Sequence, residues 1–443
     1  MAICPFRSSW RAMRACASRP FRCAFQARAA RWRRPKSAHG PALARPPSMP
    51  GAGREQSLRT PSCEPLPRDW HRSCPMPDSP PQRQVHAPGR VGPASWSLDP
   101  GAWRPMSSTE ADLSAVPVPA PFAHLRRFPL DGALLLFDRD TGTNVRCEGE
   151  ETAHLRARAP RALQFGITNR CNLACTFCSR DLDAKSDWTA DSAFDLLSGL
   201  ADAGVLEVAF GGGEPWAFPH FETLVARLYD ETPLAVSFTT NGVALTPRRL
   251  AAVRGRYGQV RVSLYDDNGW RGTVGRLADA GARFGVNYLV TPERLPSLET
   301  VVLELVALGC RDVLLLSYNG HDRALHLDAA QARDLSRRVA VLARALGSRC
   351  QLKLDVCWGE RLEGVPRLFD KQDCGAGREF LVITSDRKVM PCSFHHLAFP
   401  VTSARDVMDV WHGQRAQLAS ASTLPGCART PGHGLSSLSG APS

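Results

Sequence analysis

An α/β protein built on a sheet or barrel of parallel strands is predicted by two observations. From residue 161 onward, apolar runs of four or five residues recur at 163–167, 206–210, 234–238, 260–264, 286–290 and 313–316. Between them lie amphipathic stretches, such as Ala193, Leu196, Leu197 and Leu200, whose i, i+3, i+4, i+7 spacing gives one apolar helical face. Six strands alternating with helices imply right-handed crossovers, with ligands bound at the carboxyl ends of the strands. A last helix, about Ala329–Leu346, closes the unit.

The elements before and after that unit differ in kind. Residues 1–105 hold 18 of the 55 Lys+Arg, 5 of the 43 Asp+Glu and 18 of the 35 prolines, so the whole +12 net charge sits at the front and the remainder is neutral to within one charge. With no period of 2 or 3.6, this segment is expected to be disordered, and the change to foldable composition at Met106 suggests a mis-assigned start. Residues 106–160 form a lead-in and a β-hairpin, with apolar 132–137, a turn at 138–142 and a return strand at 143–147. The unit at 161–346 is followed by a small cysteine-bearing β module at 347–427, with strands suggested at 352–355, 379–384 and 388–391, and a Gly/Ser/Pro-rich flexible tail at 428–443. No apolar window is long enough to span a membrane and no secretory signal is evident, so the expected location is cytoplasmic, with neither membrane nor nucleic acid as a partner.

Fifteen cysteines in such a chain point to metal or redox use rather than disulfides. Five lie in the front segment. The informative set opens immediately after the first strand, in Thr168-Asn-Arg-Cys171-Asn-Leu-Ala-Cys175-Thr-Phe177-Cys178-Ser-Arg180, a CxxxCxxC loop. Three thiolates on one loop can hold three irons of a [4Fe–4S] cube and leave the fourth iron open to a ligand. A structural zinc site would want four ligands in paired spacing, and buried inert thiols would need no loop. After the second strand stands Phe210-Gly-Gly-Gly213-Glu214-Pro, whose glycines allow close backbone approach and whose carboxylate can accept from an ammonium group.

These residues resemble the radical S-adenosylmethionine (SAM) superfamily, whose signature is CxxxCxxC with an aromatic residue, here Phe177, before the third cysteine. The resemblance implies an open partial (β/α)6 barrel in which Cys171, Cys175 and Cys178 ligate a [4Fe–4S] cluster. It also implies that Gly212, Gly213 and Glu214 meet the methionine end of SAM, and that Asn241 and Ser263, at the ends of the third and fourth strands, lie near its ribose. Reductive cleavage of SAM would then give a 5′-deoxyadenosyl radical that abstracts hydrogen from substrate, with electrons from a reductase, ferredoxin or flavodoxin.

Cys374-Gly-Ala-Gly, Met-Pro-Cys392 and Pro-Gly-Cys427 resemble the shortened SPASM module called a twitch domain, which holds an auxiliary [4Fe–4S] cluster. Two departures stand out: Arg387 occupies a position where such modules carry a turn glycine, and Thr430 one where they carry a further cysteine, leaving Cys357 as a candidate ligand. Proteins with this module modify peptides or oxidise small molecules such as aminoglycosides, and the hairpin tips the expectation toward a peptide. An iron–sulfur electron carrier and a nucleic-acid-binding protein remain the other classes, distinguished by Gly212–Glu214 and by the basic front respectively. Asp266, Asp267, Tyr318, Asn319 and Arg323, near strand ends, read as exposed loop residues.

Overall fold

The computed structural model describes residues 11–12, 22–26 and 113–429, except 179, 182, 267, 363–364 and 366–373. The expected front disorder, Asp267, Thr430 and the tail therefore lie, apart from the two short front stretches, outside the described residues. Strands β1 (Arg11–Ala12) and β2 (Arg22–Gln26) add to β3 (Arg126–Leu130), β4 (Ala133–Asp138) and β5 (Thr143–Glu148) in an antiparallel sheet of order β1-β2-β5-β4-β3. The β4–β5 pair is the expected hairpin, closed by Asp138, which accepts from the Asp140 amide at 2.9 Å. The front strands need no side-chain period to pair, because the edge of β5 offers backbone groups alone.

The main sheet has ten strands in the order β12-β11-β10-β9-β8-β7-β6-β13-β14-β15. Its parallel core comprises β6 (Ala162–Thr168), β7 (Glu207–Gly212), β8 (Ala235–Thr240), β9 (Val260–Ser263), β10 (Phe284–Val290) and β11 (Asp312–Ser317). Crossovers α1 (Ala190–Asp202), α2 (Phe221–Glu231), α3 (Pro247–Ala252), α4 (Trp270–Asp279) and α5 (Leu298–Ala307) connect them in sequence, and α6 (Ala329–Leu346) follows β11. Thr189 and Asp328 start α1 and α6 by accepting the amides of Ser192 and Gln331, a reciprocal capping box in each case. An open (β/α)6 barrel is therefore present.

Strand alternation sorts the two faces. Leu163, Phe165, Ile167, Val208, Phe210, Val236, Phe238, Val260 and Val262 all join one apolar cluster with the helices. Phe165, Phe210, Phe221, Phe238 and Trp216 meet there edge to face at 5.2–5.7 Å. The alternate positions are polar and buried: Gln164, Ser237, Thr239, Arg261, Ser263 and Asn287. Arg261 is paired with Asp312 at 3.1 Å and Lys353 with the same carboxylate at 2.5 Å.

Two assignments change. The strand expected at 352–355 in the C-terminal module is β12 (Gln351–Leu354), a seventh parallel strand beside β11, joined to it by the buried Lys353–Asp312 pair. The strand at 380–383 likewise belongs to no separate sheet: β13 (Phe380–Ile383) pairs in parallel with β6, and β14 (Lys388–Met390) and β15 (Phe399–Pro400) continue antiparallel from it. Helix α7 (Ala404–Gly413), capped by Ser403, packs this region onto α1; a Cβ on Gly199 would lie 2.7 Å from the Ala404 methyl. Trp411 is fully buried and donates to the Arg378 carbonyl at 3.1 Å. No helix among the described residues is long and apolar enough to cross a membrane.

Candidate functional site

The CxxxCxxC loop leaves the carboxyl end of β6 and is tied down by its own polar side chains. Asn169 donates to the carbonyls of Asp181 and Ala184 at 2.8 and 2.7 Å, and its amide donates to Ser186 Oγ at 2.8 Å. The Cys178 amide closes a turn onto the Cys175 carbonyl at 3.1 Å. From β7, the Gly213 amide donates to Thr168 O at 2.7 Å and the Glu214 amide to Arg170 O at 2.8 Å, so the glycine turn is laid directly on the root of the cysteine loop. Only glycine fits. Gly212 has φ +99°, and a Cβ on Gly213 would stand 2.0 Å from the Arg170 carbonyl oxygen.

Glu214 is buried, with its carboxylate accepting from Thr240 Oγ1 at 2.7 Å, the Asn241 amide at 2.7 Å and the Trp216 amide at 3.3 Å. Burial pushes its pKa upward while these three donors pull it back, and the balance stays above the ordinary carboxylate range. Asn241, at the end of β8, donates to Asn172 Oδ1 at 2.7 Å and comes within 3.8 Å of Cys171 Sγ. The cysteine loop, the glycine turn and the end of the third barrel strand are thus joined by one hydrogen-bonded chain.

These groups line one cleft of about 450 Å³, formed by Cys171, Cys175, Cys178, Gly213, Glu214 and Asn241 with Phe177, Arg180 and Tyr265 among its neighbours. Burial works to raise the Cys178 thiol, yet positive charge and hydrogen bonds around it, the Arg180 amide and guanidinium among them, hold it below the ordinary thiol range. Among the described residues, no three His, Cys, Asp or Glu side chains are gathered as a single metal ion requires. A cube, by contrast, spreads its thiolates over separate corners. Among the described residues the buried Nε of Arg180 has no acceptor.

A second cavity, about 470 Å³, adjoins the first across Phe177 and Tyr265, whose rings lie 5.2 Å apart. Ser263 opens onto it, with Asn287, Leu289, Leu316, Tyr318, Asn319 and Phe394. Tyr318 and Asn319, read from sequence as exposed loop residues, instead line this cavity, and Asn319 is buried. Asp266 does remain exposed. Tyr265 and Asn268 had no spacing to announce them. Asn268 donates to the carbonyls of Asn241 and Ser263 at 2.8 and 2.7 Å and so fixes the two strand ends relative to each other.

In the C-terminal region, Cys374 and Cys392 pack against Ala162, Ala376 and Phe380. Burial, with Cys374 and Cys427 nearby, pushes the Cys392 thiol up to about 12. Cys374 and Cys392 are therefore neighbours, and the charge of Cys427 reaches Cys392. Cys357 stands at the end of β12 between Asp355, which accepts its amide at 2.8 Å, and Arg361, which donates to its carbonyl at 2.9 Å. Arg387 takes the left-handed conformation (φ 58°) that a turn glycine would supply. Its guanidinium holds the distal end of the cysteine loop, donating to the Asp187 carbonyl at 3.0 Å and lying 4.2 Å from the centre of the Trp188 ring.

A strand-terminal three-cysteine loop is locked to a Gly-Gly-Glu turn on an open α/β barrel, and residues 165–265, which hold both, match the family model of the radical SAM superfamily. Among curated proteins, the chain is 26% identical over 298 residues to the PqqA peptide cyclase of Ruegeria pomeroyi, covering 60% of this chain and 77% of that one. It is 27% identical over 302 residues to a probable GTP 3′,8-cyclase of Methanosarcina mazei, covering 58% and 86%. Among solved structures, SuiB of Streptococcus suis bound to S-adenosylmethionine is similar at 18% identity and TM-score 0.49, over 59% of this chain and 68% of that one. The superfamily implies SAM and a [4Fe–4S] cluster as cofactors.

Proposed function

We propose that this protein is a peptide-modifying radical SAM enzyme whose cluster is held by Cys171, Cys175 and Cys178. The observation that carries the reading is the cleft lined together by the three thiols, the Gly212–Glu214 turn and Asn241, with the turn hydrogen-bonded to the cysteine loop and to Asn241. When bound there, cluster and SAM supply one-electron cleavage to a 5′-deoxyadenosyl radical able to take hydrogen from carbon.

The chain's own residues position and shield. Gly212 and Gly213 bring backbone against the methionine end, and Glu214, already fixed by three donors, offers its anionic face to the ammonium group. Asn241 and Ser263 face the ribose, while Phe177 and Tyr265 wall the cleft against water. The second cavity, largely apolar, receives the substrate. A peptide is favoured because several of the curated relatives, those of Ruegeria pomeroyi, Rhodopseudomonas palustris and Gluconobacter oxydans among them, are by name PqqA peptide cyclases. Cys374, Cys392 and Cys427 hold an auxiliary [4Fe–4S] cluster that takes up an electron or anchors substrate, and the first cluster is recharged by a reductase, ferredoxin or flavodoxin.

Anaerobic reconstitution with iron, sulfide, SAM and a strong reductant should yield 5′-deoxyadenosine. Cys175→Ala should abolish it; formation at the parent rate in that variant would end the proposal.

A further inference from the structure

One charged group in the cleft has no part in the reading above. Arg180, two residues after Cys178, lines the same cleft as the three cysteines, Gly213 and Glu214. Its Nη1 is spent on the loop itself, donating to the Asn169 carbonyl and lying 3.4 Å from Asn169 Oδ1. Its Nε is buried, with no acceptor among the described residues. Among the described residues no carboxylate pairs with it: the ion pairs of this domain are made by other arginines, such as Arg161 with Glu207 and Arg249 with Glu222.

A guanidinium held from behind, already beside the Cys178 sulfur and with a buried Nε–H unspent among the described residues, keeps a donor free for an acceptor at that edge of the loop. The nearest anionic chemistry that the loop itself can assemble is sulfur. Thiolate-ligated clusters are anionic, and reduction adds a further negative charge, so a cation and an N–H···S hydrogen bond at one edge favour the reduced form; both are recognised levers on cluster potential.

We propose that Arg180 tunes the cluster held by this loop, giving the Cys178 side a hydrogen bond and a positive charge that raise the potential at which the cluster accepts its electron. The inference rests on the cluster assignment above and concerns its energetics. The electron comes from the external reductant, and no bond is made or broken at Arg180.

The test is a potentiometric titration of the reconstituted, SAM-free protein, followed by the electron paramagnetic resonance signal of the reduced cluster, with iron content and SAM affinity measured in parallel. Arg180→Leu should keep its iron and show about a tenfold lower equilibrium constant for reduction, equivalent to ~59 mV for a one-electron couple. Arg180→Lys, which keeps the charge and loses Nε, should fall between Leu and the parent. An unchanged potential in Arg180→Leu overturns the proposal, and if SAM affinity falls instead, the guanidinium serves the cosubstrate. Should Leu lose iron, Lys and Gln variants decide; loss of iron in all three makes Arg180 a loop-building residue and also overturns it. A parent protein that takes up no iron would instead refute the cluster assignment itself.

Discussion

Gly213→Ala is the sharpest test of how the cleft is built. The added Cβ would lie 2.0 Å from the Arg170 carbonyl oxygen, 2.6 Å from its carbon and 2.9 Å from the Asn169 carbonyl carbon. All three are backbone atoms, so no side chain can swing aside. Reaching ordinary contact at 3.4 Å requires the cysteine loop and the β7 turn to part by more than 1 Å. That separation breaks the Gly213–Thr168 and Glu214–Arg170 hydrogen bonds, together worth about 1–3 kcal/mol. A displacement of about 1 Å at a reacting centre costs on the order of 100-fold in rate. Iron content, SAM affinity and 5′-deoxyadenosine formation should therefore all fall, the last by about two orders of magnitude. Gly275→Ala is the matched control, because Gly275 lies inside α4 and nothing stands within 4 Å of the place its new methyl would take; it should leave these readouts unchanged and add about 0.5–1 kcal/mol of stability. Parent-like SAM cleavage in Gly213→Ala would refute the claim that loop and turn are interlocked.

Three further outcomes are expected. Glu214→Gln sets an amide nitrogen against one of the two donors, the Thr240 hydroxyl on Oε1 or the Asn241 amide on Oε2, and removes the charge offered to the ammonium group. SAM affinity should drop by about tenfold with iron content unchanged, and isothermal titration showing parent affinity would remove Glu214 from the site. The double change Cys374→Ala/Cys392→Ala should lower reconstituted iron from roughly eight to four per chain while uncoupled SAM cleavage survives; equal iron in parent and variant would reduce the C-terminal region to a structural cap. Asp355 is raised to about 6 by burial, against the amides of Ser317, Cys357 and Trp358 and the charge of Arg361. Its native form thus keeps a proton that the unfolded chain releases near pH ~3.9, so its contribution is fully present below that pH and is lost as pH rises through about 6. Across that window the parent should lose about 3 kcal/mol relative to Asp355→Asn, at ~1.4 kcal/mol per unit; parallel denaturation curves would refute the assignment.

The junction of cysteine loop and glycine turn was legible because its signal is local: three cysteines, a preceding apolar run and a glycine turn after the next run need no long-range information. The outer face of the barrel was legible for the same reason, since Val, Leu and Phe facing the helices make continuous runs. What an apolar-run criterion overlooks is the inner face. Lys353 interrupts β12, and Arg261 sits in the middle of β9, yet both are buried because Asp312 neutralises them across the sheet. A lone Lys in a four-residue strand carries no mark of that partner, 41 positions away, so β12 was assigned to the wrong unit. Asn319 illustrates the same blindness in a loop: a polar residue after a strand is most often solvated, and only the packing of Tyr318 and Gly426 around it encloses it. Arg387 shows the converse. The glycine missing from its turn signalled a departure from the module's pattern, but the conformation survives, because the same arginine bonds Asp187 and stacks on Trp188. The side chain that makes the left-handed turn costly also anchors it to the end of the cysteine loop. A residue that breaks a local rule thus marks where the C-terminal strands and the cysteine loop are held together.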